Sequence, residues 1–322
     1  MPGIVELADQ FRAALLRQDA AAMKRLVTAY QQLYGRTQDK LDLLLMTVQS
    51  KGVTSPNQIR QLARYKELMD SVASELNKFG VYTETEISTT SRAAIEAAIR
   101  DTSAYMRSVG LSSPATINAD AIETLLGFLD PDGPLYERLE MLAPTHTATI
   151  ADGLVEAIGL GYNPEKTARL FENLMGGGLT DALRMTRTAQ LYSYREATRA
   201  NFIANSDVVQ GWTWWTALDA NVCMACVSQH GTTHPNSEKL DGHYNCRCAM
   251  IPYLGGEQEV SGEEWFNSLP EAQQKKMMGA GKYQAWKEGK FSFSDLSTQH
   301  EDGVYGLMRS ETSLKDLLER KE

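Results

Sequence analysis

The sequence predicts a mainly α protein, with a long-helix N-terminal lobe followed by a small α+β C-terminal module. Three observations carry this. Apolar residues recur at helical spacing through the first half with few prolines to interrupt them. After Asn205 the texture changes abruptly to short Trp/Thr/Val runs bounded by Gly and Asn, as small strands require. All four cysteines of the chain fall within 26 consecutive residues, Cys223 to Cys248. At 322 residues the chain has room for two domains. Its 43% hydrophobic and 23% charged fractions exclude disorder throughout and exclude a fibre.

From Ile4 to Val48 the residues Ile4, Leu7, Phe11 and Leu15, then Leu26, Tyr30, Leu33, Leu41 and Leu44, keep the helical period with no proline after Pro2. One long helix, or two broken near Gly35, is expected. Ser55 before Pro56 predicts an N-cap with proline at the first helical position, and behind it Leu62, Tyr65, Met69, Val72, Leu76 and Phe79 alternate by threes and fours. That stripe is too short for an isolated coiled coil and reads as the core of a bundle. Further helices are expected over 91–109, 120–129, 145–158 and 164–175, separated by Gly, Pro, Asn or Ser. Gly176, Gly177 and Gly178 suggest a joint, with Thr180 or Asp181 capping a helix that runs to about Ala204. The expected organisation is a helical lobe over 1–178, a connecting helix over 179–205, a Cys/His metal-binding module over 206–255, and a tail over 256–322. The tail reads as helical in pieces, at 265–269, 270–278 and 314–318.

The 32 Lys+Arg against 41 Asp+Glu, a formal charge of −9, argue against coating nucleic acid by bulk charge. No apolar run reaches the roughly 18 residues of a spanning helix, and the first ten residues carry acids where an export signal has bases. Neither a membrane partner nor export is expected. On the helix after the glycines, Arg184, Arg187, Arg195 and Arg199 fall within roughly a third of the circumference. They are candidate contacts to phosphates or to an acidic partner, in competition with a solvated face paired to Asp181 and Glu196.

The cysteines read Cys223-x-x-Cys226, sixteen residues, then His243-x-x-Cys246-x-Cys248. Two such pairs across such a span are how a zinc ribbon presents soft ligands to one tetrahedral ion, so the C-terminal module is expected to be zinc-ribbon-like. Five candidates compete for four places. Cys223, Cys226, His243 and Cys246 give two matched knuckles, whereas Cys246 and Cys248 could face the ion together from one extended segment with Arg247 opposite. Disulfides are disfavoured because nothing marks the chain for an oxidising compartment, and a redox CxxC lacks its βαβ setting here. A metal-free cluster of hydrogen-bonded thiols is the remaining alternative. If zinc binds, its role is structural. A catalytic site needs an open position and a poised base, and the deaminase His-x-Glu ahead of Cys-x-x-Cys is missing, His234 being followed by Pro235 and Asn236. His230 and His234 read as loop residues. Between Ser206 and Gly255 four acids (Asp207, Asp219, Glu238, Asp241) face two bases (Lys239, Arg247), the wrong sign for a DNA-reading finger. Phosphate-binding loops, metalloprotease motifs and nucleophile elbows are missing too, so no enzyme and no small-molecule substrate is expected.

Taken in order, the helix from Arg187 to Phe202, Trp212, Asp219, Cys223-x-x-Cys226, Gly231, His243-Tyr-Asn-Cys-Arg-Cys248 and Pro252 resemble the phage Mu F-like minor head protein family, also called phage head morphogenesis proteins. Downstream, Glu264-Trp265-Phe266, Pro270 with a Gln-rich helix, Gly279, Tyr283-x-x-Trp286-x-x-Gly289 and the stretch from Ser292 to Leu296 agree. The resemblance covers about Thr180 to Leu318, and the helical first half is assigned only by association. It implies a virion component of the capsid interior, present in few copies, which joins the portal protein early in head assembly in the host cytoplasm. The major capsid or scaffolding protein and double-stranded DNA are further candidate partners. Some relatives carry toxin or enzyme domains after this module, and none is expected here. The rival expectation is a nucleic-acid-binding protein that uses the arginine stripe and stacks bases on Trp212, Trp214 and Trp215, although large aromatics more often fill a core.

Overall fold

The protein is described from a computed structural model. The structure describes residues 3–129, 132–256 and 261–319. Seven helices come first: α1 (Ile4–Lys51), α2 (Pro56–Gln61), α3 (Ala63–Ser108), α4 (Ala119–Leu126), α5 (Pro134–Glu140), α6 (Leu142–Gly159) and α7 (Pro164–Ala204). Then follow β1 (Gly211–Trp215), α8 (Met224–Gln229), β2 (Thr233–His234) and β3 (Ala249–Tyr253). The last elements are α9 (Gly262–Ser268), α10 (Glu271–Met278), α11 (Ala280–Lys287), a 3-10 turn (Phe293–Leu296), β4 (Ser297–Asp302), β5 (Gly306–Glu311) and α12 (Leu314–Glu319). The protein is mainly helical with a small C-terminal sheet region, as the sequence predicts.

Two compact units form, and both are assembled from non-consecutive segments, whereas the sequence divides most simply into consecutive ones. A helical unit comprises Gln18–Thr90 and Phe128–Ala189, and a cysteine unit comprises Met1–Arg17, Ser91–Gly127 and Gln190–Glu322. In the helical unit α1 is unbroken at Gly35, and its Leu26, Leu33, Leu41 and Leu44 are fully buried. The expected stripe on α3 holds for Tyr65, Val72, Leu76 and Phe79, with Leu68 added and Leu62 lost from it. Leu62 adopts an extended conformation (ψ 130°) that ends α2, so the single expected helix is two. Ser55 does precede a first-turn proline, but its side chain makes no capping bond.

The joint expected at Gly176–Gly178 is instead the interior of α7. The glycines serve close packing: a Cβ on Gly177 would lie 3.0 Å from the His146 ring, and one on Gly178 would lie 3.2 Å from the Tyr30 hydroxyl. Tyr30 donates to the carbonyl of Met175 and packs edge-on against Phe79 with centroids 4.8 Å apart. Thr180 and Asp181 are therefore mid-helix, and Asp181 accepts from His146 and Arg184 instead of capping.

The cysteine unit holds a three-stranded antiparallel sheet in the order β2-β1-β3, with Trp212 opposite His234 and Pro252, and Trp214 opposite Met250. The two-residue alternation sends Trp212 and Trp214 to one face. There they are fully buried against Phe202, Val209, Leu240, Met250 and three of the four cysteines. A second cluster joins Met224 and Val227 of α8 to Phe266, Tyr283, Phe293 and Leu296. The tail is less helical than expected. Ser297–Glu311 forms a hairpin whose turn is fixed by Asp302, its carboxylate accepting the Val304 and Tyr305 amides, and by Gly306 at φ 74°.

Candidate metal centre

Two short pieces of backbone bring the cysteines together. Cys223 is the N-cap of α8, and its Sγ accepts the Cys226 amide at 3.4 Å, so sulfur takes the place Ser or Asp usually fills. Because Cys226 is the third helical residue, the same turn that caps the helix puts both sulfurs on one side. The second piece is a tight turn closed by the Cys246 amide on the His243 carbonyl at 3.0 Å, with Asn245 in the left-handed region at φ 60°. Cys246 and Cys248 then share a face of the extended lead into β3. Arg247 points the other way, to a bidentate pair with Asp219 at 2.8 and 2.9 Å. The first pair thus sits on a helix start and the second on a tight turn.

The donors form two overlapping triplets, Cys223, Cys226 and His243, then Cys226, Cys246 and Cys248, each with all donor atoms within 4.8 Å of one another. His243 Nε2 lies 3.2 Å from Cys223 Sγ and 3.3 Å from Cys226 Sγ, and Cys226 Sγ lies 3.7 Å from Cys246 Sγ. Two sulfurs on a tetrahedral zinc, each bonded at about 2.3 Å, would be about 3.8 Å apart. The opposite ring nitrogen, Nδ1, lies 2.7 Å from the Tyr244 carbonyl, which can only accept. Nδ1 therefore carries a proton, and Nε2 is the ring atom that faces the sulfurs, able to ligate a cation once its own proton is lost.

The electrostatics also suit a cation. Hydrogen bonding from Cys226, and then from His243, pulls the Cys223 thiol down to about 5 against its burial. Burial alone would lower the His243 imidazole, but the Cys223 hydrogen bond and the charges of Cys246 and Cys223 outweigh it and push it up to about 9. Hydrogen bonds from Cys226 and Cys248 drive Cys246 down, while Cys226 is driven up by its bonds to neighbouring thiols and Cys248 by burial. Without a cation the thiols compete, one ionising at its neighbours' expense; a bound dication lets several ionise together. The cluster can hold a metal ion.

Its surroundings leave little slack. A Cβ on Gly242 would lie 2.7 Å from Cys246 Sγ, and one on Gly262 would lie 1.8 Å from the Val227 carbonyl oxygen. Behind the site Arg195, 4% exposed, donates Nε to the Cys248 carbonyl at 2.9 Å and Nη2 to the Cys246 carbonyl.

The other candidate arginines are engaged as well. Arg184 pairs with Asp181 at 2.8 Å and Arg187 with the buried Asp19 at 2.8 Å, both in the helical unit. Arg199, in the cysteine unit, pairs with Glu196 at 3.0 Å and reaches the Asn236 carbonyl. Helical period puts four side chains in one sector but does not say whether that sector meets solvent, and Arg195 is closed to any partner outside the chain. Trp212 and Trp214 are core, so they offer no face for stacking bases. His230 and His234 stand outside both triplets. His230, read as a loop residue, is buried, and its Nδ1 accepts the Thr216 amide at 3.0 Å, while His234 lies in β2 with its ring stacked on Trp212.

Three participants escape a reading by residue type: Gly242, Arg195 as a clamp on the cysteine loop, and the Asp219–Arg247 pair. Only the last left a signal, in the alternation that sets Arg247 opposite two cysteines. Comparison of the chain with family models, with curated proteins and with solved structures finds no match. Among the described residues no helix is long and apolar enough to cross a membrane.

Proposed function

We propose that this chain is a phage minor head protein, a non-enzymatic structural component of the capsid interior whose C-terminal module is stapled by one zinc ion. One observation carries the reading. From Gln190 onward the residues that bear the resemblance lie in one compact unit, several of them as candidate ligands or as the packing behind them. Cys223, Cys226, His243, Cys246 and Cys248 form the donor cluster, Asp219 braces it through Arg247, and Trp212 lies in the core that also holds Cys226, Cys246 and Cys248. Phe266, Tyr283 and Trp286 pack in the cluster that holds Met224 and Val227 of α8.

Zinc is the metal favoured by thiolate and imidazole donors at near-tetrahedral spacing. Burying Cys226, Cys246 and Cys248 in the core suits an ion that contributes folding free energy. The partner is the portal protein, met during head assembly in the host cytoplasm, with the shell or scaffold and the packaged duplex as secondary contacts. A Cys223→Ser, Cys226→Ser double variant is expected to leave the cysteine unit unfolded and the chain missing from purified heads, as read by mass spectrometry of the particles. Heads that incorporate the variant at the normal level would contradict the proposal.

A further inference from the structure

We propose that Arg195 is the buried counter-ion of the metal centre, and that its single positive charge selects a site of three thiolates and one imidazole over one of four thiolates. The inference rests on the metal reading above and deepens it. Arg195 reaches from α7 into the cysteine loop, is 4% exposed, and spends its donors on two backbone carbonyls, those of Cys246 and Cys248. Among the described residues no carboxylate stands within ion-pair distance of it. The neighbouring arginines differ in this respect, since Arg187 has Asp19, Arg199 has Glu196 and Arg247 has Asp219. A guanidinium stays protonated at any pH a protein survives, and a buried charge without an opposite charge is strongly destabilising. Carbonyl dipoles orient the fork but cannot cancel its charge.

The nearest source of negative charge is the cluster itself, because the two carbonyls Arg195 holds belong to cysteines of the second triplet. A dication with three thiolates and a neutral imidazole carries −1, and with Arg195 the buried assembly is neutral. Four thiolates would carry −2 and leave one charge uncompensated. The geometry agrees, for His243 turns Nε2 toward Cys223 and Cys226 at 3.2 and 3.3 Å. Cys223, Cys226 and His243 form one triplet, and Cys246, whose Sγ lies 3.7 Å from Cys226 Sγ at the spacing of two sulfurs on one zinc, is the fourth ligand, which leaves Cys248 as the thiol held in reserve.

The experiment uses the full chain loaded with cobalt(II) and with zinc. The intensity of the thiolate-to-cobalt charge-transfer absorption counts bound thiolates, and three are expected in the native chain and three again in Cys248→Ser. A count of four in the native chain, or loss of one thiolate in Cys248→Ser, overturns the ligand set. Zinc affinity, measured by chelator competition, is expected to fall by about 10–100-fold in Arg195→Gln, the range seen when groups behind metal ligands are changed. Arg195→Lys, which keeps the charge, is expected to retain most of the affinity. Equal losses in both variants would mean that the carbonyl contacts matter and the charge does not, and unchanged affinity in both would mean that neither does; each result overturns the counter-ion role. The thiolate count needs no Arg195 variant and decides the ligand set even where Arg195→Gln does not fold. A native chain that binds neither metal is a different failure, one that removes the metal reading itself.

Discussion

At Gly242 a single methyl group would meet Cys246 Sγ at 2.7 Å and Cys246 Cβ at 3.0 Å, with the Arg195 Nη1 at 3.1 Å. Neither neighbour can yield easily, since Cys246 is buried and Arg195 is anchored on two carbonyls. Gly242→Ala is expected to cost about 1–3 kcal/mol, the usual toll of overpacking, read from urea midpoints. His230 supplies a test by pH. Burial pushes its imidazole down to about 4, the Arg12 guanidinium acting in the same direction, whereas an unfolded histidine titrates near 6.5. Across that window the unfolded chain binds more protons, so stability falls as pH drops from about 6.5 to about 4, by up to roughly 3 kcal/mol. His230→Asn, whose side-chain oxygen can accept the Thr216 amide, is expected to flatten that part of the stability–pH curve. A wild-type-minus-variant difference that stays constant between about pH 8 and pH 5 would contradict it. At this scale the sequence exposes the donors, because sulfur and imidazole at x₂ spacing have few other uses. It hides Gly242 and Arg195, whose roles depend on what lies across space from them.

Among the elements, the β4–β5 hairpin ties the tail to the loop that carries His243. Arg309 of β5 grips the buried Asp241 with two bonds of 3.0 Å, and Gln299 of β4 adds a third at 2.6 Å. Arg309→Met would leave the Asp241 carboxylate buried without its cation, which is expected to cost about 3–5 kcal/mol. Replacing both partners, Arg309→Met with Asp241→Leu, is expected to recover much of that, because no uncompensated charge remains. Denaturant melts of the two variants read the difference; equal losses in single and double variants would show that the pair matters for shape and not for charge. The hairpin was hidden by composition. Ser297-Thr-Gln-His-Glu-Asp302 lacks an apolar alternation, although the Asp302-Gly303 dipeptide is a turn signal. The long helices are legible from their period, but Gly176–Gly178 read as a joint although α7 continues through them. Glycine reads as a break along the chain, and only the neighbouring helices reveal that it is there to let them approach.

For the whole molecule, the helical unit and the cysteine unit draw on different sources of stability. The helical unit is packed by leucines of α1 and α3, with half-exposed ion pairs such as Arg25–Glu86 at 2.7 Å at its edge. Around its donor cluster the cysteine unit packs the ends of α1, α3 and α7 against short strands and helices of eight residues or fewer. Such elements gain little from their own hydrogen bonds, and ligand binding supplies folding free energy where a small core does not. The sequence announced the helical and cysteine-rich parts by composition. It did not announce that α1, α3 and α7 each contribute to both units, since period along a helix carries no information about where its partner changes. The account is tested most directly by native mass spectrometry of the full chain before and after chelation, with hydrogen exchange followed across residues 211–253. It predicts one zinc per chain, and after its removal loss of protection in β1, α8 and β3 while the leucine core of the helical unit keeps its own. A chain that carries no metal as purified, takes up none when zinc is supplied, and protects those residues equally with and without chelator would contradict it.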